Sequence, residues 1–366
     1  MTDRFSDLRK VASKLGVDAV ALVPGPNFTR AIGQAFMSHE RPFVLIIGAH
    51  GNDAAIVPNL ELGSWSQVGF DGPVFDWRDQ DGYQPAFNAL AGQMPLTSLA
   101  VEGQVMRVFT HHALKSALPD LQIIDGEKAI SGLRAIKTDG DIAALQAAID
   151  ISEAALAQTL DQVRIGQTEA QIESILIQAL FAHGAEGLSF GPIVTAADNS
   201  AMPHGHARAD YAVQAGDALL IDFGARKHGF AADITRTVFI GHASDEAREV
   251  YDTVLRANMA GNAMARPGVT AHDIDDVVIG VLEASPFASR IRTKTGHGLG
   301  REVHEAPYIM RGNHEIMQKG MVFTNEPGLY EIGNFGVRIE DDVLITDNGC
   351  RSLTSFPKEL MIVGNR

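Results

Sequence analysis

The sequence predicts two domains, an α/β unit over residues 1–130 followed by an α+β unit over 131–366. Three observations predict this. At 366 residues the chain is too long for a single hydrophobic core. Its first third alternates helix-like and strand-like pieces, as α/β layers do. Beyond Gly184 the texture changes to glycine-punctuated β segments broken by helices, with antiparallel hairpins.

The elements follow in order. Apolar residues at helical spacing predict a first helix over Ser6 to Leu15, then strands near Ala19 to Val23 and Phe43 to Ile47 and a helix near Pro85 to Ala91. LQIID, within 120–126, reads as the last strand of this unit, and Glu127 to Lys137 as a short charged connector. From Asp139 to Arg164 apolar residues recur at three- and four-residue steps, which predicts a long helix. After a break at Gly166, Thr168 and Gln171 form a capping-box pattern that opens another helix to His183. The β segments expected beyond are Phe190 to Thr195, Ala218 to Ala225, Phe230 to Ile240, Met321 to Tyr330 and Val337 to Thr346. Helices are expected at Ser244 to Ala265, capped by Ser244, and at Ala271 to Ala284.

Composition narrows the function. Forty-five per cent hydrophobic and 20% charged residues describe a globular chain, and the formal charge of −15 repels polyanions. Nucleic acid and anionic membrane surfaces are therefore excluded as expected partners, and a cationic ligand is favoured. No run of eighteen apolar residues occurs, so no membrane span is expected. The charged N-terminus lacks the apolar stretch of a secretion signal. The lone cysteine, Cys350, cannot close an intrachain disulfide, and the cytoplasm is the expected compartment.

The chemistry concentrates in two acidic hairpins. In LLIDFGARKHGFAADITRT, pairing symmetric about residues 227 and 228 sets Asp222 opposite Asp233, a repulsive arrangement unless a cation sits between them. In MVFTNEPGLYEIGNFGVRIEDDVLIT, Glu326 and Glu340 are symmetric about Gly333. Between the hairpins in sequence lies GHGLGREVHE, where Gly296 and Gly298 leave His297 unobstructed. Four carboxylates and an imidazole suit two divalent cations, manganese, iron, cobalt or zinc, with open positions for a water and a substrate carbonyl. Hydrolysis is the natural use.

Five segments in this order, SAMPHG, DFGARKHGFAADITRT, GHGLGREVHEAP, TNEPGLY and GVRIEDDVLIT, followed by FPKEL, closely resemble the prolidase and aminopeptidase P family of pita-bread metallopeptidases. The resemblance implies a creatinase-like α/β N-terminal domain and a pita-bread catalytic domain. It implies that Asp222, Asp233, His297, Glu326 and Glu340 are the ligands of two metal ions, with Asp222 and Glu340 serving both. It also implies that His204, His304 and Arg338 bind substrate or support the ligands, and that Glu326 doubles as a proton shuttle. The activity implied is cleavage of Xaa-Pro bonds in dipeptides or longer peptides by a metal-bridging hydroxide, in a homodimer.

Competing readings of the residues remain. His206 is a rival of His204, Asp341 and Asp342 are rival ligands of which Asp342 shares a strand face with Glu340, and Arg301 is either solvated or substrate-facing. Gly187 to Gly191 fits the G-x-S-x-G elbow of serine hydrolases around Ser189, although a strand rather than a helix follows it. The glycines around His297 imitate part of a dinucleotide loop without its βαβ context, so no nucleotide cofactor is expected. Other outcomes are a metal-dependent non-peptidase of the same fold and a peptide-binding protein without activity.

Overall fold

A computed structural model describes residues 3–364. It divides into two compact units, Met1–Arg134 and Ala135–Arg366. The division falls just beyond residue 130 for a packing reason. The segment read as a connector is a helix, Glu127–Ser131, whose first free N–H is taken by the Asp125 carboxylate at 2.9 Å, and Ile130 is fully buried in the core of the first unit.

The first unit is built on a six-stranded mixed sheet in the order Val74–Trp77, Asp53–Pro58, Val44–Gly48, Ala19–Leu22, Ser98–Val101 and Gln122–Asp125. The helix expected at its start spans Ser6–Leu15 and ends at Gly16 in the left-handed conformation. Strand residues divide by period two: Ala19, Ala21, Val44 and Ile46 join one core cluster, Val20, Leu22, Leu45 and Ile47 the other. Short elements such as Ser98–Val101 and Val74–Trp77 are not foreseen in the sequence, because too few residues are present to display a period.

The second unit opens with the two expected helices, Asp139–Gln162 and Glu169–Ala182. Each starts with a complete capping box, Thr138 with Asp141 and Thr168 with Gln171. They cover one face of a four-stranded sheet ordered Ile362–Val363, Ile234–Ile240, Ala218–Phe223, Ile193–Ala196, with Leu156, Leu176 and Leu180 packed against Leu219, Ile221 and Phe223. On the other face, helices Asp245–Met264 and Ala271–Glu283 pack against Ala218, Phe239 and Leu329. A strand buried on both faces reads as a continuous apolar run, which is what ALLIDF shows before its acid. A five-stranded sheet runs Glu305–Ile309, Gly296–Gly298, Val322–Asn325, Asp341–Ile345, Cys350–Ser352. Among the described residues no helix is long and apolar enough to cross a membrane.

The two acidic hairpins part company in register. The second is symmetric about Gly333 as expected: Gly328 pairs with Arg338 and Asn325 with Asp341. The first is not symmetric about 227 and 228, because Lys227 pairs with Phe230 and Asp222 with Thr235. The turn therefore occupies His228 and Gly229, both at positive φ, 51° and 76°. A two-residue hairpin turn needs left-handed backbone at both central positions, which histidine tolerates better than most residues and glycine adopts freely. Asp222 and Asp233 are consequently diagonal neighbours and do not face each other.

Gly229→Val is expected to destabilise the second unit by about 1–3 kcal/mol through that strained φ. Gly191→Ala, whose added methyl meets nothing within 4 Å, is expected to stay within about 0.5 kcal/mol of the parent. Denaturant midpoints of the two variants measure the difference, and equal midpoints would refute the turn assignment.

Candidate metal centre

The acids lie at strand ends where the four-stranded and five-stranded sheets of the second unit meet. Asp222 is next to last on Ala218–Phe223, and Asp233 immediately precedes Ile234–Ile240. Glu326 follows Val322–Asn325, and Glu340 sits between Gly336–Arg338 and Asp341–Ile345. The sheets are joined there by a backbone bond from Glu340 N–H to the Thr235 carbonyl at 3.1 Å and by Thr235 Oγ1 donating to Glu340 Oε2 at 2.6 Å. His297 is the middle residue of Gly296–Gly298. A Cβ on Gly296 would lie 1.8 Å from the Thr324 carbonyl oxygen, and one on Gly298 2.3 Å from that of Ala306. Only glycines let the neighbouring strands close on the histidine, which explains the imitation of a dinucleotide loop.

Three groups form, each with one potential ligand atom per residue and all atoms within 4.8 Å of one another: Asp222 with Asp233 and Glu340, His297 with Glu326 and Glu340, and Asp233 with His297 and His304. His297 Nε2 faces Glu326 Oε1 at 3.3 Å and Asp233 Oδ2 at 3.6 Å, while Nδ1 lies 3.1 Å from the Gly298 carbonyl. That carbonyl selects the tautomer with the proton on Nδ1, leaving the Nε2 lone pair for a cation. All five predicted ligands line one cavity of about 670 Å³, together with His204, His304 and Arg338.

This pocket is electrostatically unstable without a cation. Burial first, then the neighbouring carboxylates, hold Asp233 and Glu340 well above the ordinary carboxylate range; burial also raises Asp222, against the pull of Arg338. Glu326 ends below its ordinary value despite burial, because the His297 ring and the Arg338 and Lys294 cations lie beside it. Two carboxylates about 4 Å apart repel by about 4 kcal/mol at an effective dielectric of about 20. A hydrogen bond returns only about 0.5–1.5 kcal/mol, so the threonine bonds cannot hold such a cluster ionised. Asp222 Oδ1, buried with no donor, is a ligand atom left over. The donor set therefore fits divalent cations, which reverse this pKa logic.

The remaining predicted residues have distinct surroundings. Arg338 is buried and donates from Nη2 to Asp222 Oδ2, from Nε to Thr235 Oγ1 at 3.0 Å and from Nη1 to Tyr330 Oη at 2.9 Å. His304 stacks on His297 with ring centroids 3.9 Å apart; it keeps an edge open to solvent, yet crowding around the ring and His297 push its pKa down to about 4. His204 is exposed on the loop after Ile193–Ala196 and reaches the cavity lining, which does not include His206. Asp342 takes the Asp233 N–H at 3.3 Å, and Asp341 pairs with Arg236 at 2.8 Å and Lys358 at 2.7 Å. Arg301 lies outside the cavity lining, its guanidinium 4.5 Å over the Phe230 ring. Ser189 donates to the Ala225 carbonyl at 2.9 Å and is likewise outside the lining, so it is no nucleophile.

Sequence reasoning missed Thr235, Thr324 and Tyr330. Thr324 Oγ1 donates to Glu326 at 3.2 Å and accepts the His297 N–H at 3.1 Å. The signal was available: each threonine lies two residues from an acid, on the same strand face.

Two family models match the chain, one described as metallopeptidase family M24 over residues 143–347 and one as the creatinase/prolidase N-terminal domain over residues 4–136. An Xaa-Pro dipeptidase of Pyrococcus horikoshii is 29% identical over 362 residues, 99% of each chain. The crystal structure of a prolidase from Thermococcus sibiricus matches with a TM-score of 0.92 at 31% identity, covering 99% of this chain and 100% of that one. An X-Pro aminopeptidase from Thermotoga maritima matches with a TM-score of 0.84 at 31% identity, covering 97% and 98%. The fold is thus a creatinase-type N-terminal domain followed by a pita-bread domain.

Manganese at a hundredfold excess over its dissociation constant is expected to stabilise the protein by about 2.7 kcal/mol. Asp233→Ala should abolish most of that gain. Thermal unfolding with and without the ion tests both, and a midpoint indifferent to manganese, cobalt and zinc would contradict the site.

Proposed function

Because the chain belongs to metallopeptidase family M24, we propose that it hydrolyses Xaa-Pro bonds of dipeptides or short peptides with two divalent cations, manganese foremost, held by Asp222, Asp233, His297, Glu326 and Glu340. One observation carries the reading: these five side chains converge on one cavity, where burial and the neighbouring carboxylates hold Asp233 and Glu340 well above the ordinary carboxylate range even with Arg338 in the lining. Similarity to the Xaa-Pro dipeptidase of Pyrococcus horikoshii and the prolidase of Thermococcus sibiricus supports the Xaa-Pro assignment. With Cys350 as its only cysteine, we assign it to the cytoplasm.

When bound, such ions lower the pKa of a water and polarise the scissile carbonyl. The residues of the chain supply the rest. Glu340 groups with Asp222 and Asp233 on one side and with His297 and Glu326 on the other, so its carboxylate stands between the two sets. Arg338 pulls against the burial that raises Asp222 and orients its carboxylate, and its own bonds to Thr235 and Tyr330 fix its plane. Glu326 is the most accessible of the four acids, its side chain 17% exposed, and faces the cavity; it takes the proton from the attacking water and delivers it to the departing proline nitrogen. The imidazoles of His204 and His304 stand at the cavity wall as donors to the carbonyl oxygen as charge develops there.

Specificity follows from the same cavity. A bond to proline has no N–H to recognise, so shape must select it, and Phe190, Ile193 and Val303 provide an apolar wall for the ring. The acid-rich floor attracts the substrate's ammonium group.

Metal-stripped protein is expected to be inactive on an Xaa-Pro dipeptide and to recover with manganese or cobalt. Asp233→Ala or His297→Ala should lower the rate at least about a hundredfold, whereas Ser189→Ala should leave it unchanged. Steady-state assays with dipeptide and Xaa-Pro-Xaa tripeptide read all of these, and hydrolysis that survives complete chelation would end the metal-dependent reading.

A further inference from the structure

His204 is carried by a segment with little regular structure. The strand Ile193–Ala196 passes into a short 3-10 stretch, Ala197–Ala201, and the chain returns at Arg208. Ala197 takes a positive φ of 50°, a conformation that costs a non-glycine residue about 1–3 kcal/mol and persists only when its surroundings enforce it. Nothing in the local sequence enforces it, so the restraint must come from elsewhere.

It comes from Glu169, fully buried at the first turn of helix Glu169–Ala182. Oε1 accepts the Ala196 N–H at 2.7 Å and Arg208 Nη2 at 2.9 Å. Oε2 accepts the Arg208 N–H at 2.7 Å, Arg208 Nε at 3.1 Å and Asn199 Nδ2 at 2.9 Å. One carboxylate thus ties down the residue before the loop, a residue inside it and the residue that ends it. Asn199 passes the restraint inward by donating also to the His206 carbonyl at 2.9 Å, and Arg208 returns a bond to the Ala196 carbonyl at 3.0 Å. Serving the helix alone would need far less: an acid in the first turn already gains from the helix dipole without five donors from another segment.

We propose that Glu169, which is outside the catalytic cavity, is a positioning residue that sets His204 at the cavity wall by tying together the two ends of its loop. The inference rests on the role given to His204 above. Its chemistry is local: only an ionised carboxylate can accept all five bonds, because an amide in its place turns one of its two groups into a donor that faces the Arg208 guanidinium.

The test is a double-mutant cycle on the manganese-loaded enzyme with an Xaa-Pro dipeptide. Glu169→Gln is expected to lower kcat/KM by roughly ten- to a hundredfold while metal stoichiometry stays at the parent value. In a His204→Ala background the same change should have little further effect, because the group being positioned is gone. Asn199→Ala should show a smaller loss with the same coupling, and it substitutes for Glu169→Gln if that variant fails to fold. Equal slowing in both backgrounds, or a variant of full speed with only a lower unfolding temperature, would overturn the positioning role. Full turnover by His204→Ala alone would overturn the reading of the site, and the inference with it.

Discussion

Mutual repulsion among buried carboxylates is the constraint around which the second unit is organised. Asp222, Asp233, Glu326 and Glu340 are drawn into one cavity where burial and their neighbours raise three of the four above the usual carboxylate range. A core of this kind is destabilising in isolation, and the fold tolerates it because backbone bonds between two sheets hold the strand ends together regardless of charge. A divalent cation bound there would relieve that repulsion.

The supporting structure is consistent with this. Arg338 is a buried guanidinium in the cavity lining, and its donors go to Asp222, Thr235 and Tyr330. Thr235 and Thr324 each bridge an acid to another element. The flanking helix pairs bury both faces of the central sheet, so the strands that end in ligands are among the least exposed in the molecule. Precision at the centre is thus inherited from rigid elements, whereas His204 stands on a loop and needs a separate restraint.

Much of this was legible in the chain itself. Helical periodicity and capping residues located the long helices, since Thr168 and Ser244 each mark a start by a mechanism local to three or four residues. The symmetry of the second hairpin about Gly333 could be read because its turn and its apolar alternation agree. The first hairpin misled, because both flanking acids invited a symmetric reading while the backbone preferences of His228 and Gly229 moved the turn by one residue.

By itself, then, the sequence determined the family, the long helices, and five side chains that the structure gathers at one cavity, since these depend on residue type and short-range spacing. Only the tertiary structure decided which of those atoms meet, that Asp341 is committed to Arg236 and Lys358, that Ser189 is spent on a backbone carbonyl, and that Glu169 governs a loop some thirty residues away. The physical reason is that a ligand set and its supports are assembled from different strands. Their geometry is a property of sheet register and packing, and no local pattern of residues encodes it.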